Sequence, residues 1–238
     1  MNSNKIVALL RDLNDEDPAV RIQALQSCGT LDVPRSAFVI VLQSLSDRNE
    51  DVRCAAVESL GLIGRQEAVP SLLKMLRDQS SEIRMRAAES LGLLLAGMTC
   101  PKPLLKSLRD SDELVRIQAA QSLQEIGDRT VLPVLWRSLN DRSPLMRSYV
   151  AASIGDLGGK KDHMKLESRL RRETSDVSRL GYYEAFFKLG KIESLLDLLP
   201  LLHHSNYKIR CSTANVLSTL PLEPTLARLV LEALHRAR

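Results

Sequence analysis

With 238 residues, a formal charge of only +4 and eight aromatic side chains, the chain has the composition of helices packed through Leu, Ile, Val and Ala. No run of about 18 apolar residues occurs, and the opening Met-Asn-Ser-Asn-Lys-Ile-Val lacks a basic region followed by a long apolar run, so neither a membrane span nor a secretory signal is expected. The four cysteines show no paired or metal-type spacing, which points to a reduced, cytoplasmic setting.

From the N-terminus, the first element is a helix ending in Leu10 and Leu13, then an Asp17-Pro18 turn, then a second helix carrying Arg21. This pair recurs. Counting each arginine as position zero, the copies centre on Arg21, Arg53, Arg84, Arg116, Arg147, Arg179 and Arg210, so the spacing alternates between 32 and 31 residues. Such a period overrides the globular prior set by length, because a repeat array buries its core between neighbouring units. The predicted hairpins span approximately 4–31, 36–64, 67–96, 101–127, 129–158, 162–190 and 192–220. A lone amphipathic helix over 224–238 caps the last one, with Leu226, Leu229, Val230 and Leu234 inward and Arg228, Glu232, His235, Arg236 and Arg238 outward. The whole chain reads as a single array.

Within each copy, position −4 is Asp17, Asn49, Ser80, Asp112, Ser143, Ser175 or Asn206, all side chains that accept a hydrogen bond from an orphan amide at a helix start. Pro18 and Pro144 follow at the first helical position, where a missing N–H costs nothing. Position −1 is apolar in six copies, +3 is usually Ala, and +7 is Cys28, Leu60, Leu91, Leu123, Ile154, Phe186 or Leu217, a helical period that marks the core face. Gly29, Gly61, Gly92 and Gly155 at +8 permit close helix approach, and Gly64, Gly127, Gly158 and Gly190 at +11 stand where a helix ends in a left-handed glycine.

The string Asp-x-x-x-x-Val-Arg-x-x-Ala-x-x-x-Leu-Gly-x-Ile, with its acid at Asp15, Asp47, Asp78, Asp110 and Asp141, and the opening Ala68-Val69-Pro70-Ser71-Leu72, resemble HEAT repeats, in particular the bacterial phycobilisome-lyase HEAT-like type. The resemblance covers nearly the whole chain. It implies an all-α, right-handed solenoid of about seven hairpins whose second helices line a concave face. It also implies a structural ladder in which Arg21, Arg53, Arg84, Arg116 and Arg147 bond with the acids between successive repeats. Such solenoids host many tasks, so the resemblance bears on fold more than on function.

Copies six and seven depart from this pattern: the acid becomes Glu173 and then His204, and Tyr182 and Phe187 fill packing positions. Seven of the eight aromatics lie at or after Trp136, and residues 160–191 carry a net charge of +4. Trp136 stands where other copies mostly have Leu and is expected in the core. The cluster Tyr182, Tyr183, Phe186 and Phe187 is open to two readings, junction filler or partner contact. No catalytic constellation is visible. None of the four histidines precedes a glutamate, so the metal motif of HEAT-like deoxyhypusine hydroxylases is absent, and His203-His204 reads as a solvated turn. A non-enzymatic protein with neither metal nor cofactor is therefore expected.

Positions +2 and +5 define the ridge facing the groove, and it is neutral to acidic, which disfavours nucleic-acid binding there. The expected role is a scaffold or adaptor that holds a protein partner through Arg86, Glu89, Gln118, Gln121, Tyr149, Tyr183 and Glu184. One alternative, implied by the resemblance, is a subunit similar to phycobilin lyases that handles a bilin or a phycobiliprotein. Another, suggested by the basic patch, is DNA binding like that of the HEAT-fold alkylpurine glycosylases.

Overall fold

The computed structural model describes residues 3–30 and 32–236, and among these it contains fifteen α-helices, five short 3-10 turns and no strand. Leu31 and residues 237–238 lie outside the described residues, as does the outward placement expected for the Arg236 and Arg238 side chains. Contacts divide the chain into two compact units, residues 1–128 and 129–238.

The first unit holds α1 (Ser3–Asp12), α2 (Pro18–Cys28), α3 (Arg35–Gln43), α4 (Glu50–Ile63), α5 (Val69–Met75), α6 (Ser81–Leu94), α7 (Lys102–Ser107) and α8 (Glu113–Ile126). These pair as four hairpins, and the second helices α2, α4, α6 and α8 pack successively side by side. Their apolar stripe is sealed: Val52, Ala56, Leu60, Ile83, Ala87, Leu91, Val115, Ala119 and Leu123 are all fully buried. Asn49 accepts the Val52 amide, Asp17 that of Ala19, and Asp112 those of Leu114 and Val115. Ser80 makes no such bond, because its hydroxyl turns to the Glu50 carboxylate. Helices α4 and α8 end at Gly64 and Gly127 with φ of 74° and 75°, the left-handed region that a Cβ disfavours.

The second unit holds α9 (Leu132–Ser138), α10 (Pro144–Leu157), α11 (Asp162–Leu170), α12 (Asp176–Lys188), α13 (Leu195–Leu198), α14 (Tyr207–Thr219) and α15 (Pro224–Arg236). Ser143 and Asn206 cap α10 and α14 through their side chains, whereas the Ser175 side chain does not cap α12. Gly158 has a φ of −77°, so α10 leaves into extended backbone without the expected left-handed residue. Helices α10 and α12 lie so close that a Cβ on Gly181 would stand 1.9 Å from the Ser148 carbonyl oxygen. Close packing thus persists in the irregular copies, with Gly181 of the later helix making the room.

Tyr182 and Phe186 are buried, while Tyr183 and Phe187 lie half-buried against a terminal core of Leu180, Leu195, Leu198, Leu202, Ile209 and Leu217. Val230 of α15 joins that core, with Leu226 and Leu234 packed against it. Leu229 does not: it is 41% exposed and faces away from the core.

Candidate functional site

The arginine column defines the frame on which any binding surface is mounted. Arg21 Nε and Nη2 donate to Asp47 Oδ2 and Oδ1 at 3.0 and 3.1 Å, Arg53 to Asp78 at 3.1 and 3.3 Å, and Arg84 to Asp110 at 2.8 and 2.9 Å. Each guanidinium also donates through Nη1 to a carbonyl six residues back in its own repeat, as Arg84 does to Asp78 at 3.0 Å. The carboxylates serve twice. Asp47, Asp78 and Asp110 each accept the amide two residues on, at 2.8 to 2.9 Å, shaping the turn into the next helix. Burial works against ionisation of Asp47 and Asp110, but the adjacent amide and arginine outweigh it and hold both carboxyls below the usual carboxylate range.

Asp15 stands at the start of the column and accepts the Asp17 amide, and among the described residues no arginine side chain bonds its carboxylate. Arg116 donates to the carbonyls of Asp110 and Ser111, and the Asp141 carboxylate accepts the Ser143 amide. Glu173 occupies a ladder position in place of Asp, taking Arg147 Nε and Nη2 at 2.8 Å each. The regular pattern ends one copy later: Arg179 reaches Asp176 at 3.5 Å, and His204 Nε2 stands 3.3 Å from that same carboxylate.

A second column was not singled out in the sequence. At +6, Ser59, Ser90 and Ser122 are buried and each donates across to a carbonyl of the preceding second helix: Leu25 at 2.7 Å, Val57 at 3.1 Å and Ala88 at 2.8 Å. Ser90 and Ser122 fill the space left by glycines, since a Cβ on Gly61 would sit 2.6 Å from Ser90 Oγ and one on Gly92 3.0 Å from Ser122 Cβ. The recurrence of Ser at +6 was the available signal, for a small hydroxyl on a buried face must find an acceptor.

The candidate contact residues divide by unit and by availability. In the first unit Arg86 lies between three acids, Glu82 at 2.8 Å, Glu58 at 3.2 Å and Glu89 at 3.5 Å, so both Arg86 and Glu89 serve ion pairs within and between helices. Gln118 and Gln121 are half-buried on α8. In the second unit Glu184 and Asp156 flank Lys188 at 2.6 and 2.8 Å, tying α12 to α10. Burial lowers the Lys188 pKa, but the two carboxylates outweigh that effect and raise it. Tyr183 packs against the terminal core, and burial is the leading cause of its raised phenol pKa. Tyr149 is different: 36% exposed, it presents its ring at the +2 position of α10.

Among the described residues no group of three or more His, Cys, Asp or Glu is placed to hold a metal ion, and no helix is long and apolar enough to cross a membrane. Burial raises the thiol pKa of Cys28 to about 11 and that of Cys100 to about 12, so neither is a ready thiolate.

Comparison with known proteins agrees with this architecture. A family model for HEAT repeats matches residues 38–97 and 101–186. No curated protein sequence matches the chain. Among solved structures, the fold is similar to that in the complex of CpcE and CpcF of phycocyanin lyase from Nostoc sp. PCC7120, with a TM-score of 0.59, 17% identity, and coverage of 98% of this chain and 94% of that one. It is also similar to YibA of Escherichia coli, with a TM-score of 0.62, 17% identity, and coverage of 92% and 83%. An arginine column bonded from repeat to repeat, short proline-opened first helices and a matching family model over most of the length lead to one conclusion: the chain belongs to the HEAT-repeat family.

Proposed function

We infer that the protein is a non-enzymatic scaffold that holds a protein partner on the polar ridge of its second helices. The observation that carries this reading is Tyr149, a large ring with over a third of its surface open, mounted on a helix whose other face is fully buried through Met146, Val150 and Ile154. Rigidly mounted aromatics contribute contact area at little entropic cost and recur among interface hot spots. In the first unit, half-buried Gln118 and Gln121 offer hydrogen-bonding groups of their own on α8.

The test is affinity purification from the native host with wild-type and Tyr149→Ala protein, read by mass spectrometry. A partner retained by the wild type and lost from the variant, at equal melting temperature, supports the reading. A partner footprint confined to the first helices overturns it. A second reading, a lyase-like subunit that handles a bilin chromophore, is supported by the fold shared with the phycocyanin lyase complex over 98% of the chain. A visible absorption band appearing when bilin is mixed with the protein would favour it.

A further inference from the structure

An open pocket of about 670 Å³ lies between α9 and α11, among the first helices of the second unit. Five cations border it: Arg129, Arg137, Lys161, Lys165 and Arg169. Only one carboxylate does, and Asp162 is buried with its Oδ2 accepting the Gly159 amide at 2.9 Å.

Three of these cations are held in place by contacts that leave their charge uncancelled. Arg129 donates to the carbonyls of Leu157 and Gly158, Arg169 donates to the Asn140 side-chain oxygen at 2.7 Å, and the Lys165 ammonium sits 3.8 Å from the Trp136 ring centre. Arg137 and Lys161 are exposed, and among the described residues neither has a salt-bridge partner. The ladder arginines, by contrast, meet carboxylates directly. Positive charge gathered in a concavity and left unneutralised raises the local concentration of anions.

The spacing narrows the class of anion. Lys161, the cap residue just before α11, is followed at every fourth residue by Lys165 and Arg169 on that helix, so the three are rooted at intervals of about 6 Å along one wall. Alternate side chains on one side of an extended peptide repeat at about 6.6 Å. The cations therefore match a strand with acids at every second position better than a compact anion gripped at one point.

We propose that this pocket binds an extended acidic segment of a protein partner, with Asp or Glu at alternate positions set against Lys161, Lys165 and Arg169. The proposal rests on the protein-binding reading above and supplies the partner's chemistry.

Trp136 is the single tryptophan of the chain, so its fluorescence reports on the site. The probe is acetyl-Glu-Ser-Glu-Ser-Glu-amide, titrated into the full chain at low salt by fluorescence and calorimetry, with acetyl-Glu-Glu-Glu-Ser-Ser-amide as the register control. Saturable binding is expected, weakened at least fivefold for the control peptide and at least tenfold by Arg137→Glu with Lys161→Glu. These exposed sites should leave circular dichroism unchanged, and Arg109→Glu on the first unit should have no effect. Absence of saturation, equal weakening by Arg109→Glu, no preference for the alternating peptide, or tighter binding of inorganic tripolyphosphate would each overturn the proposal. Loss of peptide binding with retention of a partner sensitive to Tyr149→Ala would remove this site alone and leave the scaffold reading standing.

Discussion

Arg147 and Glu173 form a two-pronged ion pair, with Nε and Nη2 each 2.8 Å from a carboxylate oxygen. The carboxylate also accepts the Ser175 amide at 3.0 Å and the Ser178 hydroxyl at 2.8 Å, so the longer side chain performs both tasks that aspartate performs in the earlier copies. The Arg147 hydrogen bond is the main reason its pKa falls to about 2, with the Ser175 and Ser178 bonds assisting against burial.

This shift makes a pH prediction. A carboxyl whose folded pKa lies below its unfolded value stabilises the fold above the unfolded value, near 4.5, and loses that contribution as pH falls towards 2. Glu173→Gln should therefore cost about 2–3 kcal/mol at neutral pH and flatten the decline in stability between about pH 5 and 2. Urea denaturation of both proteins across that range checks it. An unchanged pH slope in the variant would show that the ion pair does not control acid unfolding.

The ladder can be tested where it is best formed. Arg84→Ala removes both bonds to Asp110 and leaves that half-buried carboxylate without its cation, a loss expected to cost about 2–4 kcal/mol. Arg109→Ala, one residue from Asp110 but exposed, should change stability by less than about 0.5 kcal/mol. Arg65 is not a suitable exposed control, since its guanidinium donates to the Val33 carbonyl and lies 5.0 Å from the Phe38 ring centre. Equal urea midpoints for the Arg84 and Arg109 variants would mean that the column is dispensable.

The hairpins, their order and the arginine column were legible because each leaves a periodic trace: a cap, an apolar stripe and a fixed offset between Asp and Arg. What was not legible depended on distances across helices. Ser80 sits at a capping position, yet its hydroxyl finds Glu50 from the neighbouring repeat. Arg86 and Glu184 read as free ridge residues although Glu82, Glu89 and Lys188 stand three or four residues away on their own helices, a spacing visible in the sequence; only Glu58 and Asp156 become neighbours when helices stack. Glu173 looked like a broken ladder position because a repeat rule counts residue identity, whereas the arginine responds to where the carboxylate arrives.

Gly181 provides a packing test. Any Cβ there would stand 1.9 Å from the Ser148 carbonyl oxygen and 2.7 Å from Ser148 Cα, so α10 and α12 would have to separate. Gly181→Ala should destabilise the protein by about 1–3 kcal/mol or more despite alanine's better helix propensity. Thermal melts read it directly, and a variant as stable as wild type would show that the two helices are less tightly coupled than this contact requires.

The serine column predicts a smaller, graded loss. Ser122 Oγ is fully buried and serves the Ala88 carbonyl at 2.8 Å and the Gln118 carbonyl at 2.9 Å. Ser122→Ala removes the donor that joins α8 to α6 and should cost about 1–2 kcal/mol, while an exposed serine such as Ser46 should tolerate the same change. Hydrogen exchange of amides in α6 and α8 would locate the loss, and an effect spread evenly over both units would contradict a local inter-helix bond.

Tyr149 and Tyr182 separate binding from packing within one unit. Tyr182 is buried, and burial is the main reason its phenol pKa rises to about 12, so Tyr182→Ala should open a cavity and cost about 3 kcal/mol of stability. Tyr149 has its ring at the surface, and its link to the helix is through the backbone, its carbonyl accepting the Ser153 hydroxyl at 2.9 Å. Tyr149→Ala keeps that carbonyl and should leave the melting temperature nearly unchanged while weakening partner binding by about 1–3 kcal/mol. Melting curves of both variants, set beside their affinity for whatever protein the wild type captures, decide the matter. Should Tyr149→Ala lower stability as Tyr182→Ala does, with capture undiminished, the exposed ring would be a packing residue and the binding surface would have to lie elsewhere.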